Sequence, residues 1–196
     1  MNRFFYSVTE KSVEYYSNAG VADYNLQSCE CTECGNIYSK NVMPPFDYVI
    51  EGKRLGDIMS ILPGYYLVSK RTYDIFKANN IAGVSFYQNV NCIKWVDRKG
   101  KVINDTRPQY VYMTIYGKCG SVFLSNGKSI PKCPKCGALQ LKIGLKTAFN
   151  ISYWDESDVF THDFATGMIC TEKIKDIIEK NKLTNFEFKP CRYISK

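Results

Sequence analysis

The feature that most constrains this chain is a pair of five-residue motifs, Cys31-Thr-Glu-Cys34-Gly35 and Cys133-Pro-Lys-Cys136-Gly137, set 102 residues apart. Two cysteines separated by two residues can aim both thiolates at one ion. A glycine just after the second lets the backbone fold back with its N–H groups toward the sulfurs, which is the pattern of a zinc knuckle. A structural thiolate site for Zn²⁺ is tetrahedral and needs four ligands, whereas one knuckle supplies two. The economical solution is that Cys31, Cys34, Cys133 and Cys136 share a single structural Zn²⁺ and fasten two distant stretches together. Closing the 98-residue loop between Cys34 and Cys133 costs about 5 kcal/mol in the chain-entropy model, against roughly 10–16 kcal/mol from a structural zinc site. A redox dithiol explains one Cys-x-x-Cys but not two with trailing glycines. Cys29 and Cys119 lie close enough to the motifs to replace a ligand or to act as apolar fillers. Cys92, Cys170 and Cys191 occupy apolar contexts expected of buried thiols.

The same offset recurs downstream. Moving Leu67–Gln88 forward by 102 residues lands on Ile169–Pro190 without a gap, so that Asp74, Ile75, Asn79 and Phe86 fall on Asp176, Ile177, Asn181 and Phe188. Each copy reads as a short apolar run, a hydroxyl N-cap (Ser69 or Thr171), a helix and an alternating strand. Gly83 and Asn185 stand at the turn into that strand, both tolerant of a left-handed backbone. The units are therefore predicted to be β-α-β. Between them Phe86–Val96 and Val102-Ile103 flank the turn Asp97–Gly100, and Ser121–Leu124 runs into the hairpin signal Asn126-Gly127. The expectation is an α+β fold: a mixed sheet carrying two β-α-β repeat units, joined by the four-cysteine site. Residues 1–196 form one compact domain, with 1–98 and 99–196 as half-units.

Forty-five per cent apolar and 14% aromatic residues are too many for a disordered chain, and no long uncharged apolar run marks a membrane span. No export signal is visible near the start, so nine cysteines would stay reduced, which points to the cytoplasm. The net charge of +7 is unevenly placed. Residues 1–98 hold ten charges of each sign, while 99–146 hold nine cations and one anion, Asp105. Lys118, Lys128, Lys132, Lys135, Lys142 and Lys146 are the candidate partner-binding residues of this basic stretch, which calls for an acidic partner. Plain solubility is the competing explanation. Nothing supports catalysis: there is no phosphate-binding glycine loop and no paired-carboxylate motif, and the one histidine, His162, has no nucleophile motif beside it. A Cys–His pairing is left open by the sequence.

The opening Arg3-Phe-Phe-Tyr6, the two knuckle motifs and the closing block resemble the double-CXXCG motif family of bacterial immunity proteins. That block comprises Asp158-Val-Phe160, Asp163-Phe-Ala-Thr166, Thr171-Glu-Lys173 and Phe186-Glu-Phe188. These stretches cover less than half the chain, and the closing block is the most specific. The resemblance implies a cytoplasmic antidote of a polymorphic toxin system, used in bacterial competition. Such a protein is not an enzyme; it binds a cognate toxin and blocks it stoichiometrically, with Cys31, Cys34, Cys133 and Cys136 as metal ligands. The Lys-rich middle, Cys29 and a short stretch before Leu67 depart from the family pattern. The alternative reading is a zinc-ribbon nucleic-acid-binding protein, in which fifteen tyrosines and the basic middle would meet single strands. A thiol oxidoreductase is a third class.

Overall fold

A computed structural model describes residues 3–11, 16–22, 28–39, 44–62, 64–103, 107–140, 147–162 and 167–195. The first half holds β1 (Phe5–Glu10), β2 (Asn18–Val21), β3 (Ser28–Glu30), β4 (Ile37–Ser39), β5 (Phe46–Glu51), β6 (Ile58–Leu62), β7 (Tyr65–Ser69), α1 (Lys70–Ala78), β8 (Val84–Tyr87) and β9 (Val90–Val96). The second holds β10 (Tyr110–Ile115), β11 (Val122–Leu124), β12 (Thr147–Asn150), a 3₁₀ turn (Ile151–Tyr153), β13 (Val159–Phe160), β14 (Met168–Thr171), α2 (Glu172–Lys180), β15 (Phe186–Pro190) and β16 (Tyr193–Ile194). The class is α+β and mostly β. The described strands form five small sheets: β13-β14-β1-β15, β6-β7-β10-β8, β11-β12-β16, β2-β5-β9 and β3-β4. Among the described strands β5 pairs parallel with β9 and β12 with β16, and Lys118 and Thr161 form an isolated parallel bridge.

Strand, helix and strand follow one another at both places, as β7, α1 and β8 and as β14, α2 and β15. α1 starts at Ser69, whose hydroxyl accepts from the Thr72 N–H, and buries Thr72 and Phe76. α2 starts after Thr171, whose hydroxyl makes no cap bond; Glu172 in the first turn favours the helix dipole instead. Each helix ends on an asparagine, Asn79 or Asn181, that bonds back to the preceding turn, and Gly83 and Asn185 adopt positive φ (93° and 68°).

The pairing between halves is not legible in the sequence. β1, from the first half, lies between β14 and β15 of the second, antiparallel to both. β10, from the second half, lies between β7 and β8 of the first, again antiparallel to both. The registers agree as well: Tyr112 sits between Leu67 and Tyr87, and Ser7 between Ile169 and Lys189, the positions 102 residues further on. The half-units 1–98 and 99–196 therefore each donate a central strand to the other and are interleaved rather than adjacent.

Polar contacts across the halves are also reciprocal. Asp57 accepts from the Thr184 N–H (2.7 Å) and hydroxyl (2.9 Å). Asp158 accepts from the Ala82 N–H at 3.0 Å, at the corresponding place in the other unit. Reciprocity of this kind is what a two-fold relation between two similar surfaces produces.

One apolar core spans both units, with Val68, Phe76 and Met113 packing with Val159, Met168, Ile174 and Ile178. A second lies under β5 and β9, with Tyr48 and Tyr112 fully buried. The third is aromatic: Phe5 makes edge contacts with Phe149, Trp154, Phe160 and Tyr193. Tyr110 and Tyr112 are thus core residues, whereas Tyr116 is 57% exposed. Among the described residues no helix is long and apolar enough to cross a membrane.

Candidate metal centre

Each knuckle is a tight turn built the same way. The Gly35 N–H donates to the Cys31 carbonyl at 2.8 Å and the Cys31 N–H to Asn36; Gly137 and Cys133 repeat this at 2.9 Å, with the Cys133 N–H donating to Ala138. Both glycines hold positive φ, 68° and 74°, a conformation that a side chain disfavours.

The two turns meet face to face. Cys31 Sγ lies 3.8 Å from Cys133 Sγ and Cys34 Sγ lies 3.5 Å from Cys136 Sγ. All four sulfurs fall within 4.8 Å of one another. A tetrahedron of thiolates with bonds of about 2.3 Å has edges of about 3.8 Å, whereas a disulfide requires about 2.05 Å. The cluster therefore has the dimensions of a metal cage and not of paired disulfides. Cys31 and Cys133 are buried, Cys136 is half-buried and Cys34 is exposed. The Lys135 ammonium donates to the Thr32 hydroxyl at 2.6 Å, tying one knuckle to the other.

The electrostatics favour a cation. N–H groups of Glu33 and Cys34 donate to Cys31 and hold its thiol down to about 6. At Cys34 the Asn36 N–H favours the thiolate, but desolvation and the three neighbouring sulfurs push it up to about 12. Cys136 is raised too: the Ala138 N–H favours its thiolate, yet desolvation and the sulfurs of Cys133 and Cys31 outweigh it. Four adjacent thiolates repel one another, and a bound dication removes that obstacle to ionising all four.

Cys119 is engaged elsewhere. It is fully buried, its Sγ lies 3.5 Å from the Thr161 carbonyl oxygen and 3.2 Å from His162 Nδ1, and it is packed in the aromatic core. That Cys–His pair joins positions 43 residues apart, with no local sequence signal to mark it. Cys29 stands on β3 opposite Tyr38. Cys92 and Cys170 are buried, as expected of apolar thiols, while Cys191 is only half-buried.

Lys118, Lys128, Lys132 and Lys135 are exposed, but the Lys132 ammonium donates to Ser121 and that of Lys135 to Thr32. Lys142 and Lys146 lie outside the described residues. No family model matches the chain, and no curated protein matches it.

Proposed function

We propose that Cys31, Cys34, Cys133 and Cys136 hold a structural Zn²⁺ and that the protein is a cytoplasmic immunity protein, binding a cognate bacterial toxin and neutralising it by stoichiometric occlusion. The observation that carries the metal reading is the four-sulfur cluster, whose all-thiolate donors lie within 4.8 Å of one another, two pairs at 3.5 and 3.8 Å, and suit tetrahedral zinc. When bound, the ion neutralises the thiolates and locks the two knuckles together. The chain's part is to present the sulfurs preformed, with the Gly35 and Gly137 turns set by backbone hydrogen bonds.

The likeness to double-CXXCG immunity proteins supports the biological role, and the fold fits how those residues would be used. Phe5 and Tyr6 lie on β1, Val159 and Phe160 on β13, Thr171 at the end of β14, and Phe186 to Phe188 on β15. All belong to one four-stranded sheet, so the shared residues build scaffold and leave the exposed loops to vary with the toxin.

Two measurements test the proposal. Elemental analysis of the purified chain is expected to return about one zinc per molecule. Co-expression with the product of the adjacent toxin gene is expected to restore growth and yield a one-to-one complex. A complex with nucleic acid that dissolves steeply with salt, and none with the toxin, would favour the zinc-ribbon alternative instead.

A further inference from the structure

Parallel pairing of β5 with β9, through Glu51 opposite Val96, makes both strands leave the sheet at one corner. The residues that follow them, Lys53-Arg54 and Arg98-Lys99, are thereby brought together although 45 positions separate the two pairs. The start of β2 closes the same corner, since Asn18 pairs with Glu51. Together they line a cleft of about 380 Å³ walled by Tyr16, Lys53, Arg54, Asp97, Arg98 and Lys99.

The corner is rigidly built. The Gly52 N–H donates to Val96 and the Ser17 N–H to Arg54, each at 2.8 Å, and the Trp95 indole donates to the Gly52 carbonyl at 2.8 Å. A Cβ on Gly52 would stand 2.9 Å from the Ser17 backbone, and the residue holds φ 118°, so the close approach requires glycine. The Arg54 guanidinium is laid over the Tyr16 ring, 4.9 Å from its centroid. Among the described residues lining the cleft the carboxylate is that of Asp97, turned into its own loop, where Oδ1 accepts from the Lys99 and Lys101 N–H groups. It offsets only part of the four cations.

We propose that this cleft is a docking site for a cluster of carboxylates on an acidic segment of a protein partner. Guanidinium groups match carboxylates bidentately, and the volume admits a few acidic side chains rather than a folded domain. Single-stranded nucleic acid needs open aromatic faces to stack on. Among the described residues lining the cleft the ring is that of Tyr16, which is buried and covered by Arg54. The site lies outside the lysines 118–146, and three of its four cations come from the electrically neutral stretch 1–98.

This inference rests on the reading of the protein as a binder of another protein, and its test is separate. A fluorescent hexaglutamate peptide is titrated into the intact chain at low salt. The triple variant Lys53→Gln/Arg54→Gln/Arg98→Gln is compared with the equally charged control Lys118→Gln/Lys128→Gln/Lys180→Gln, with both variants checked for an unchanged far-ultraviolet spectrum. The cleft variant is expected to lose about tenfold or more in affinity and the control about twofold or less. Equal losses in both, or none in either, overturn the proposal. Tighter binding of a hexanucleotide than of the peptide at the same cleft residues overturns the choice of a protein partner. If the toxin complex forms and the peptide does not bind, the cleft assignment fails while the immunity reading stands; if the peptide binds and no toxin complex forms, the reverse holds.

Discussion

Cys31 and Cys133 are 102 residues apart in the chain and 3.8 Å apart in space. Each is the first cysteine of its knuckle, so the sulfur cage is assembled from corresponding atoms of the two halves. The knuckles meet in a body in which β1 and β10 each pair within a sheet built from the other half. A metal bound there would tie together a body that strand pairing has already brought close, and the ion would not have to supply the whole cost of loop closure.

Removing one sulfur tests that division of labour. Cys133→Ser is expected to reduce bound zinc from about one per chain to a small fraction, since three thiolates bind far more weakly than four. It is also expected to lower the melting temperature while preserving the far-ultraviolet spectrum of the strand-paired body. A strong chelator added to the parent protein should reproduce the shift. Complete unfolding on chelation would show instead that the metal, not the exchanged strands, holds the halves together.

The exchange of central strands predicts how the chain behaves when cut. Fragments 1–98 and 99–196 are expected to be unfolded or aggregated alone, because each lacks the middle strand of its own sheet. Mixed, they should refold into a one-to-one complex with the spectrum of the intact protein. Amide NMR spectra of the separate and mixed fragments give the answer, and dispersed spectra from either fragment alone would falsify the interleaved arrangement.

Equivalent positions in the two units are expected to respond differently. A Cβ at Gly83 would stand 1.8 Å from the Val159 carbonyl oxygen, at φ 93°; Gly83→Ala should therefore cost about 3 kcal/mol or more. At the matching position the Asn185 amide donates to the Ile58 carbonyl at 2.6 Å, and Asn185→Gly should cost about 1 kcal/mol. Urea denaturation of the two variants measures both.

Asp57 and Asp158 make a second unequal pair. Asp57 is buried, accepts from Thr184 N–H and hydroxyl and receives the Ser69 hydroxyl at 2.6 Å. Asp57→Ala leaves those donors unsatisfied and should destabilise by about 3 kcal/mol. Asp158 accepts from Ala82 and Lys173 at a partly exposed place, where solvent replaces it, so Asp158→Ala should cost about 1 kcal/mol. Equal costs would contradict this reading.

Glu10 supplies a pH dependence. Burial raises its carboxyl above the ordinary carboxylate range, against the opposing effect of the Ser60 N–H. The folded state then holds its proton to higher pH than the unfolded state, and stability is lost as pH rises from the unfolded carboxylate range through the raised value. Glu10→Gln keeps an acceptor for Ser60 and removes that loss. Calorimetry should find the variant more stable than the parent at neutral pH and no more stable in acid; the opposite order at neutral pH would refute the assignment.

The sequence by itself determined the locally encoded parts. Cysteine spacing with trailing glycines set the knuckles, Ser69 and the apolar spacing set α1, and Gly83 and Asn185 set the left-handed turns, because caps, periodicity and positive φ act within a few residues. The identity of the four clustered sulfurs was legible for the same reason, two local motifs being counted against one ion's need for four ligands. Only the tertiary structure decided that β1 and β10 change places, since several alternating strands compete for each edge and the winner is set by packing and register across the whole body. It also decided where charge gathers: Lys53 and Arg54 belong to a stretch that sums to zero along the chain, yet β5 and β9 deliver them beside Arg98 and Lys99. Electrostatic potential adds in space, and the order of residues fixes that space only after the strands have paired.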